Sequence, residues 1–165
     1  MITFGSFYGI ITMIDDFMTG TEELTGCYKL MTVQDREGSI VNFVVTPDTY
    51  FVNHTTMAIG DMVVGFYDAF APVPFIYPPQ YRAIVMSRLV PGHNVKVAYF
   101  NEHLISSDST LKLNLSPLTQ IILENNQVFT ANPANRNLIV VYGPTTMSIP
   151  AHTTPYKIIV MCPEA

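Results

Sequence analysis

The sequence predicts an all-β chain of two tandem small barrels, and three observations carry that expectation. The first is an internal repeat. Phe43-Val44-Val45-Thr46-Pro47-Asp48-Thr49-Tyr50-Phe51 returns as Leu113-Asn114-Leu115-Ser116-Pro117-Leu118-Thr119-Gln120-Ile121, with Pro47 and Pro117 70 positions apart. Pro79-Gln80-Tyr81-Arg82-Ala83-Ile84-Val85-Met86 is echoed by Thr154-Pro155-Tyr156-Lys157-Ile158-Ile159-Val160-Met161, with Tyr81 and Tyr156 75 apart, so the second copy is expected to hold five more residues between its blocks. Self-similarity of this kind marks a repeated structural unit. The second observation is composition: 12 prolines and 9 glycines among 165 residues punctuate the chain with turns. The third is that almost no stretch sustains the 3.6-residue period of an amphipathic helix.

The elements follow in order. Tyr8-Gly9-Ile10-Ile11-Thr12-Met13-Ile14 is apolar and β-branched and reads as a strand ended by Asp15-Asp16, followed by a polar loop through Thr19-Gly20-Thr21-Glu22-Glu23. Cys27 to Val33 alternates, Asp35-Arg36-Glu37-Gly38 is a hairpin turn, and Ser39 to Val45 is the return strand. Thr46-Pro47-Asp48-Thr49 reads as a turn or one helical turn with Thr46 as its cap. Gly60-Asp61 leads into Met62 to Tyr67, and after a Pro-rich loop Tyr81 to Leu89 is the last strand of the first unit. The second unit is expected to run Val95–Phe100, Leu104–Ser106, Leu111–Leu115, Gln120–Leu123, Leu138–Tyr142 and Tyr156–Met161. Val90-Pro91-Gly92-His93-Asn94 is the boundary, dividing residues 1–90 from 91–165.

A hairpin pair, a long third strand, a Gly-Asp lead into a fourth and then a fifth is similar to the oligonucleotide/oligosaccharide-binding (OB) type of Greek-key barrel. The match is closest in the first unit. In the second, Asn135-Arg136-Asn137 replaces Gly-Asp-Met and the early hairpin is shorter. SH3-like barrels share much of the same pattern. The strings Gly65-Phe66-Tyr67-Asp68-Ala69 and Ile76-Tyr77-Pro78-Pro79-Gln80-Tyr81 also resemble an uncharacterised bacterial family of duplicated OB-like β-barrel proteins. That resemblance covers most of the chain and implies no activity.

Bulk properties exclude several functions. Hydrophobic residues make up 48% of the chain and charged residues 13%, which suits a packed core. Net charge is −5 and there is no basic stripe, so nucleic acid is not an expected partner. No run of about 18 apolar residues is present to span a membrane. Nor does Met1-Ile2-Thr3-Phe4-Gly5 begin a secretory signal, so a cytoplasmic location is expected, with cell-envelope association left open. Cys27 and Cys162 read as two reduced thiols behaving as small apolar residues, or as a single bridge.

The candidate contact site is the Pro-rich loop and its flank: Phe75, Ile76, Tyr77, Pro78, Pro79 and Tyr81. Prolines at 72, 74, 78 and 79 hold the loop extended, a stiff support for apolar side chains. Three outcomes are open: the side chains plug a barrel end, anchor a subunit or protein partner, or form the lip of a ligand site. The corresponding loop of the second unit, Gly143 to Pro155, keeps prolines but loses the aromatics, which suggests an asymmetric role for the first. Tyr28, Tyr67 and Tyr81 offer stacking surfaces to a glycan or small molecule on the barrel face.

Asp15, Asp16, Glu22 and Glu23 flank one loop and are the candidates for a hard cation, without EF-hand spacing. His54, His93, His103 and His152 show no metal-ligand pairing. No Walker loop, G-x-S-x-G, G-x-G-x-x-G or C-x-x-C occurs, and neither Ser107-Asp108 nor Cys27 has an adjacent base. Asn53-His54-Thr55 spells a glycosylation sequon, relevant only in a secreted eukaryotic chain. The expected function is therefore a non-enzymatic binding or assembly module with no cofactor, forming a homo-oligomer or meeting a protein partner. A glycan or small-molecule binder is the alternative, and a hydrolase-type enzyme trails both.

Overall fold

A computed structural model describes residues 2–163. The fold is all-β. The chain divides into two compact units, Phe4–Leu89 and Val90 onward, with Ile2 and Thr3 grouping with the second. Among the described residues no helix is long and apolar enough to cross a membrane.

The first unit holds β1 (Phe4–Asp16), β2 (Lys29–Gln34), β3 (Ile40–Val45), β4 (Tyr50–Phe51), β5 (Met62–Asp68), β6 (Gln80–Arg82) and β7 (Val85–Arg88), with 3-10 turns at Glu22–Leu24 and Val52–His54. They form one sheet in the order β4-β7-β5-β1-β2-β3-β6. β1 is long because it serves two neighbours: Phe4 to Ile10 pair with β5, and Ile10 to Asp16 with β2. The register against β2 slips between Ile11 and Met13, a bulge that bends the strand as it changes partner. Gly9 stands where β1 and β2 are pressed together, and a Cβ there would lie 2.5 Å from the Gln34 carbonyl oxygen.

The β2–β3 hairpin turns on Asp35, whose Oδ1 accepts the amides of Glu37 (3.0 Å) and Ser39 (2.9 Å), as an Asx turn does. Asp61, ahead of β5, accepts the Ala58 amide at 2.8 Å and pairs with Arg88 at 3.0 Å. The expected last strand is two strands, β6 and β7, separated by Ala83-Ile84. Its first part pairs parallel with β3 and its second part antiparallel with β5. One segment thus links the two flanks of the sheet. Ile11, Val33, Phe43, Val63 and Met86 fill the core between them. Phe43 is fully buried and lies over Gly65, where a Cβ would come within 2.5 Å of its ring.

The second unit holds β8 (Asn94–Phe100), β9 (Leu111–Leu113), β10 (Gln120–Leu123), β11 (Arg136–Tyr142), β12 (Ala151–Thr153) and β13 (Lys157–Met161). Its sheets run β10-β13-β11-β8 and β12-β9. Phe100, Leu111, Leu138, Val140, Ile158 and Val160 are core residues. The strand expected at Leu104–Ser106 is reduced to isolated bridges, Phe100 with Ser106 and Ile105 with Lys112. Here side chains take the backbone bonds a ladder would need. Asn101 Oδ1 accepts the amides of His103 and Ile105, and Ser106 Oγ accepts that of Leu111.

The repeated motif has the same hydrogen bonds in both units. Thr49 Oγ1 donates to the Ala83 carbonyl at 2.7 Å and accepts the Thr46 amide at 3.0 Å. Thr119 Oγ1 donates to the Pro155 carbonyl at 2.9 Å and accepts the Ser116 amide at 3.3 Å. The parallel pairs agree as well: Asn42 with Gln80 and Tyr50 with Val85 in the first unit, Lys112 with His152 and Gln120 with Lys157 in the second. The offset is therefore 70 at the first block and 72 at the last strand, and the second unit has gained two residues, not five. Tyr156 answers Ile84, and Tyr81 answers Thr153. The matched tyrosines in the sequence were a coincidence of spelling, because register follows the buried acceptor at Ala83 and Pro155.

Candidate functional site

The Pro-rich loop joins β5 to β6 and is tied at both ends. Asp68 Oδ1 accepts the Phe70 amide at 3.0 Å as the chain leaves β5, and the Pro79 carbonyl accepts the Asn42 amide at 2.9 Å where it rejoins the sheet. Between these anchors Pro72, Val73 and Pro74 line a cleft against the unit, while the tip stands in solvent. Phe75 has 107% of its reference surface exposed and Tyr77 79%, with Ile76, Phe70 and Val73 also exposed. They do not plug a barrel end. Pro78 and Pro79 are half-buried and form the base.

Tyr81 separates from this group. It lies on β6 and stacks on Tyr67 at 3.9 Å with the ring planes 5° apart, and both rings pack against the core. Burial, reinforced by Tyr81, pushes the Tyr67 hydroxyl above the usual phenol range. One face of each ring suggested as a stacking surface is therefore taken up by the pair itself.

The loop of the second unit is not the featureless counterpart its composition suggests. At the observed offset of 72, Met147 stands where the first unit has Phe75, and Ile149 where it has Tyr77. Met147 is 101% exposed and Ile149 94%. The tip is organised from within: Thr146 Oγ1 and Ser148 Oγ lie 2.7 Å apart, and Thr146 Oγ1 accepts the His152 amide at 2.9 Å. Both loops contain a cis X-Pro bond, Tyr77–Pro78 and Ile149–Pro150. Each unit therefore presents a pair of bare apolar side chains at matching positions. The asymmetry inferred from the lost aromatics does not hold in that form.

Two of the concavities of the first unit bear on this loop and on the face of β1. A cleft of about 430 Å³ lies between the segment after β1 and the Pro-rich loop, lined by Phe17, Tyr28, Val44, Pro72, Gln80 and Arg82. Arg82 reaches Asp48 at 3.8 Å on its exposed rim. A second, of about 540 Å³, lies on the outer face of β1, where Tyr8, Ile10, Met62 and Leu89 meet the hairpin tip at Arg36 and Glu37. Burial raises the Tyr8 hydroxyl above its ordinary value. The sequence carries a signal for this site: Tyr8 and Ile10 alternate with the inward Phe7, Gly9 and Ile11, so their face is apolar as well as outward.

The other candidates are dispersed. Asp16 pairs with Lys29, while Glu22 and Glu23 sit in the 3-10 turn. Among the described residues no three His, Cys, Asp or Glu side chains gather as a metal site. His54 packs edge-on against Tyr50, His93 lies 5.0 Å from the Tyr156 ring, and His152 Nδ1 is 3.4 Å from Asn114. Cys27 and Cys162 are free and exposed, so they are neither bridged nor core residues. Asp108 ties a turn together: burial pushes its carboxyl upward, but bonds from Lys96, Ser106 and Thr110 outweigh that and hold it well below the usual carboxylate range. Comparison of the chain with protein-family models, with curated proteins and with solved structures finds no match.

Proposed function

We propose that the chain is a non-enzymatic assembly module of two OB-like barrels that associates, with itself or a protein partner, through the apolar tip of Phe75, Ile76 and Tyr77. The observation that carries this is the exposure of Phe75 and Tyr77 on a loop held by four prolines and bonded at both ends. Contiguous bare apolar side chains on a soluble surface mark contact sites. A stiff aromatic anchor also loses little entropy when it docks. The barrel reading is supported by β6 and β7, which close β1, β2 and β3 onto β5 with a parallel β3–β6 pair, and by the matching bonds of the second unit. The likeness to the uncharacterised duplicated OB-like family belongs to the same proposal. Two free thiols suit a reducing, cytoplasmic compartment.

The test is molar mass by light scattering across a wide concentration range, for the wild type and a Phe75→Ser/Tyr77→Ser variant. The wild-type mass rises with concentration and the variant stays monomeric with an unchanged circular dichroism spectrum. A variant that assembles like the wild type removes the loop from the contact.

A second reading, a glycan or small polar ligand, is favoured by the cleft beside the same loop. It combines the Tyr28 ring with Gln80, Arg82 and Asp48, groups suited to hydroxyl recognition. A thermal-shift panel of sugars with no response would retire it.

A further inference from the structure

We propose that the Phe75–Tyr77 tip of one chain docks into the cavity on the outer face of β1 in a second copy, so that assembly is head-to-tail. This rests on the reading of that loop as the contact element, and adds where it lands.

The cavity and the tip are complementary in polarity and size. Its floor is Tyr8 and Ile10 from β1, Met62 from β5 and Leu89 after β7, and its volume of about 540 Å³ is within the range that accepts ring-sized groups. Beside the cavity the register of β1 against β2 slips between Ile11 and Met13, and Gly9 lets the two strands approach closely under the hairpin. The rim is charged where the floor is not. Arg36 makes no ion pair among the described residues, and Glu37 stands beside it.

An aromatic tip answers each part. Phe75 covers the floor, the Tyr77 ring offers a face to the Arg36 guanidinium, and its hydroxyl offers a donor to Glu37. From Phe70 to Pro79 the loop carries no formal charge, so it brings no charge of its own against the Arg36 and Glu37 rim.

The contact is between chains because of where β5 places its ends. Met62 begins the strand at the cavity and Asp68 ends it at the loop, six residues or about 20 Å apart at ~3.3 Å per residue. The tip of the same chain is exposed, not seated. A knob and a hole on different surfaces give a heterologous contact. Two aromatic rings bury about 150–250 Å² each, below the ~800 Å² per partner of a standard stable interface, so the association is weak and appears only at high concentration.

The experiment combines two variants in light scattering at high concentration. Ile10→Lys spoils the cavity and keeps the tip; Phe75→Ser/Tyr77→Ser spoils the tip and keeps the cavity. Each alone is monomeric, with apparent affinity down at least tenfold, and an equal mixture recovers a complex of dimer mass through the one intact contact. Met62→Lys, also on the exposed floor, serves as a second cavity variant should Ile10→Lys lose its native circular dichroism. If the cavity variants assemble as the wild type does while the tip variant does not, the cavity is overturned and the loop reading stands. A wild type that stays monomeric overturns the self-association beneath both.

Discussion

Thr49 donates its hydroxyl to the main-chain carbonyl of Ala83, 2.7 Å away, across 34 residues of sequence. Ala83 is 1% exposed, so this carbonyl has no access to water if the donor is lost. Thr49→Val is expected to lower stability by about 1–3 kcal/mol, the usual cost of leaving a buried acceptor unmade. Thr119→Val acts on the Pro155 carbonyl in the same way. Urea denaturation measures both, and Thr49→Ser, which keeps the hydroxyl, recovers most of the loss.

Gly65 has no room for a side chain. A Cβ there would meet the Phe43 ring at 2.5 Å, inside a core that cannot give way. Gly65→Ala is expected to cost roughly 1–3 kcal/mol through overpacking. Adding Phe43→Leu relieves the clash, so the double variant is more stable than the sum of the single losses predicts; a thermal-unfolding cycle reads the difference.

Asp108 links part of the second unit's stability to pH. Despite burial, bonds from Lys96, Ser106 and Thr110 hold its carboxyl in the folded chain well below the ordinary aspartate range. Its contribution is therefore fully present above the unfolded value and is lost as pH falls below it toward the folded one. Half of the side chain is exposed, so the effect is limited by solvent screening to about 1 kcal/mol or less. Asp108→Asn flattens the acid limb of the stability curve below about pH 4 and leaves its shape at neutral pH unchanged.

Met147 and Ile149 stand where the first unit has Phe75 and Tyr77. Met147→Ser/Ile149→Ser is expected to leave the unfolding free energy within the scatter of ordinary surface substitutions, about ±0.5 kcal/mol. Exposed-surface dye binding falls in this variant, as it does for Phe75→Ser/Tyr77→Ser, and calorimetry with fluorescence titration separates the two effects.

Cys27 and Cys162 are both exposed. Each reacts with an aromatic disulfide reagent in native buffer, and denaturant adds no further thiol.

What was legible in the chain was local. Asp35 to Gly38 announces its hairpin because Asp35 makes the turn with its own side chain. Thr46 and Ser116 announce theirs for the same reason. The strands around them show in their apolar alternation. Register was not legible, because it is set by partners distant in sequence: the tyrosines invited an offset of 75, whereas the bonds to Ala83 and Pro155 impose 72. The missing strand at Leu104–Ser106 was hidden by its apolar spelling, since nothing in Leu104-Ile105 says that the Asn101 side chain will take the amides. The stiffness of the Pro-rich loop was readable, but the outward direction of Phe75 and Tyr77 was not. The cavity on β1 required both an outward apolar face, which the alternation shows, and the hairpin tip at Arg36 and Glu37 beside it, which the alternation does not.

The division of labour between β6 and β7 has a bearing on biosynthesis. Until Gln80 to Arg88 has left the ribosome, β3 and the outer side of β5 are bare strand edges with their amides and carbonyls unpaired. A nascent chain in that interval is a template for pairing with any neighbouring strand, including one from the next polypeptide on the same message. The edges of β3 and β5 in the first unit are thus covered only once the nine residues Gln80 to Arg88 have followed the loop that precedes them.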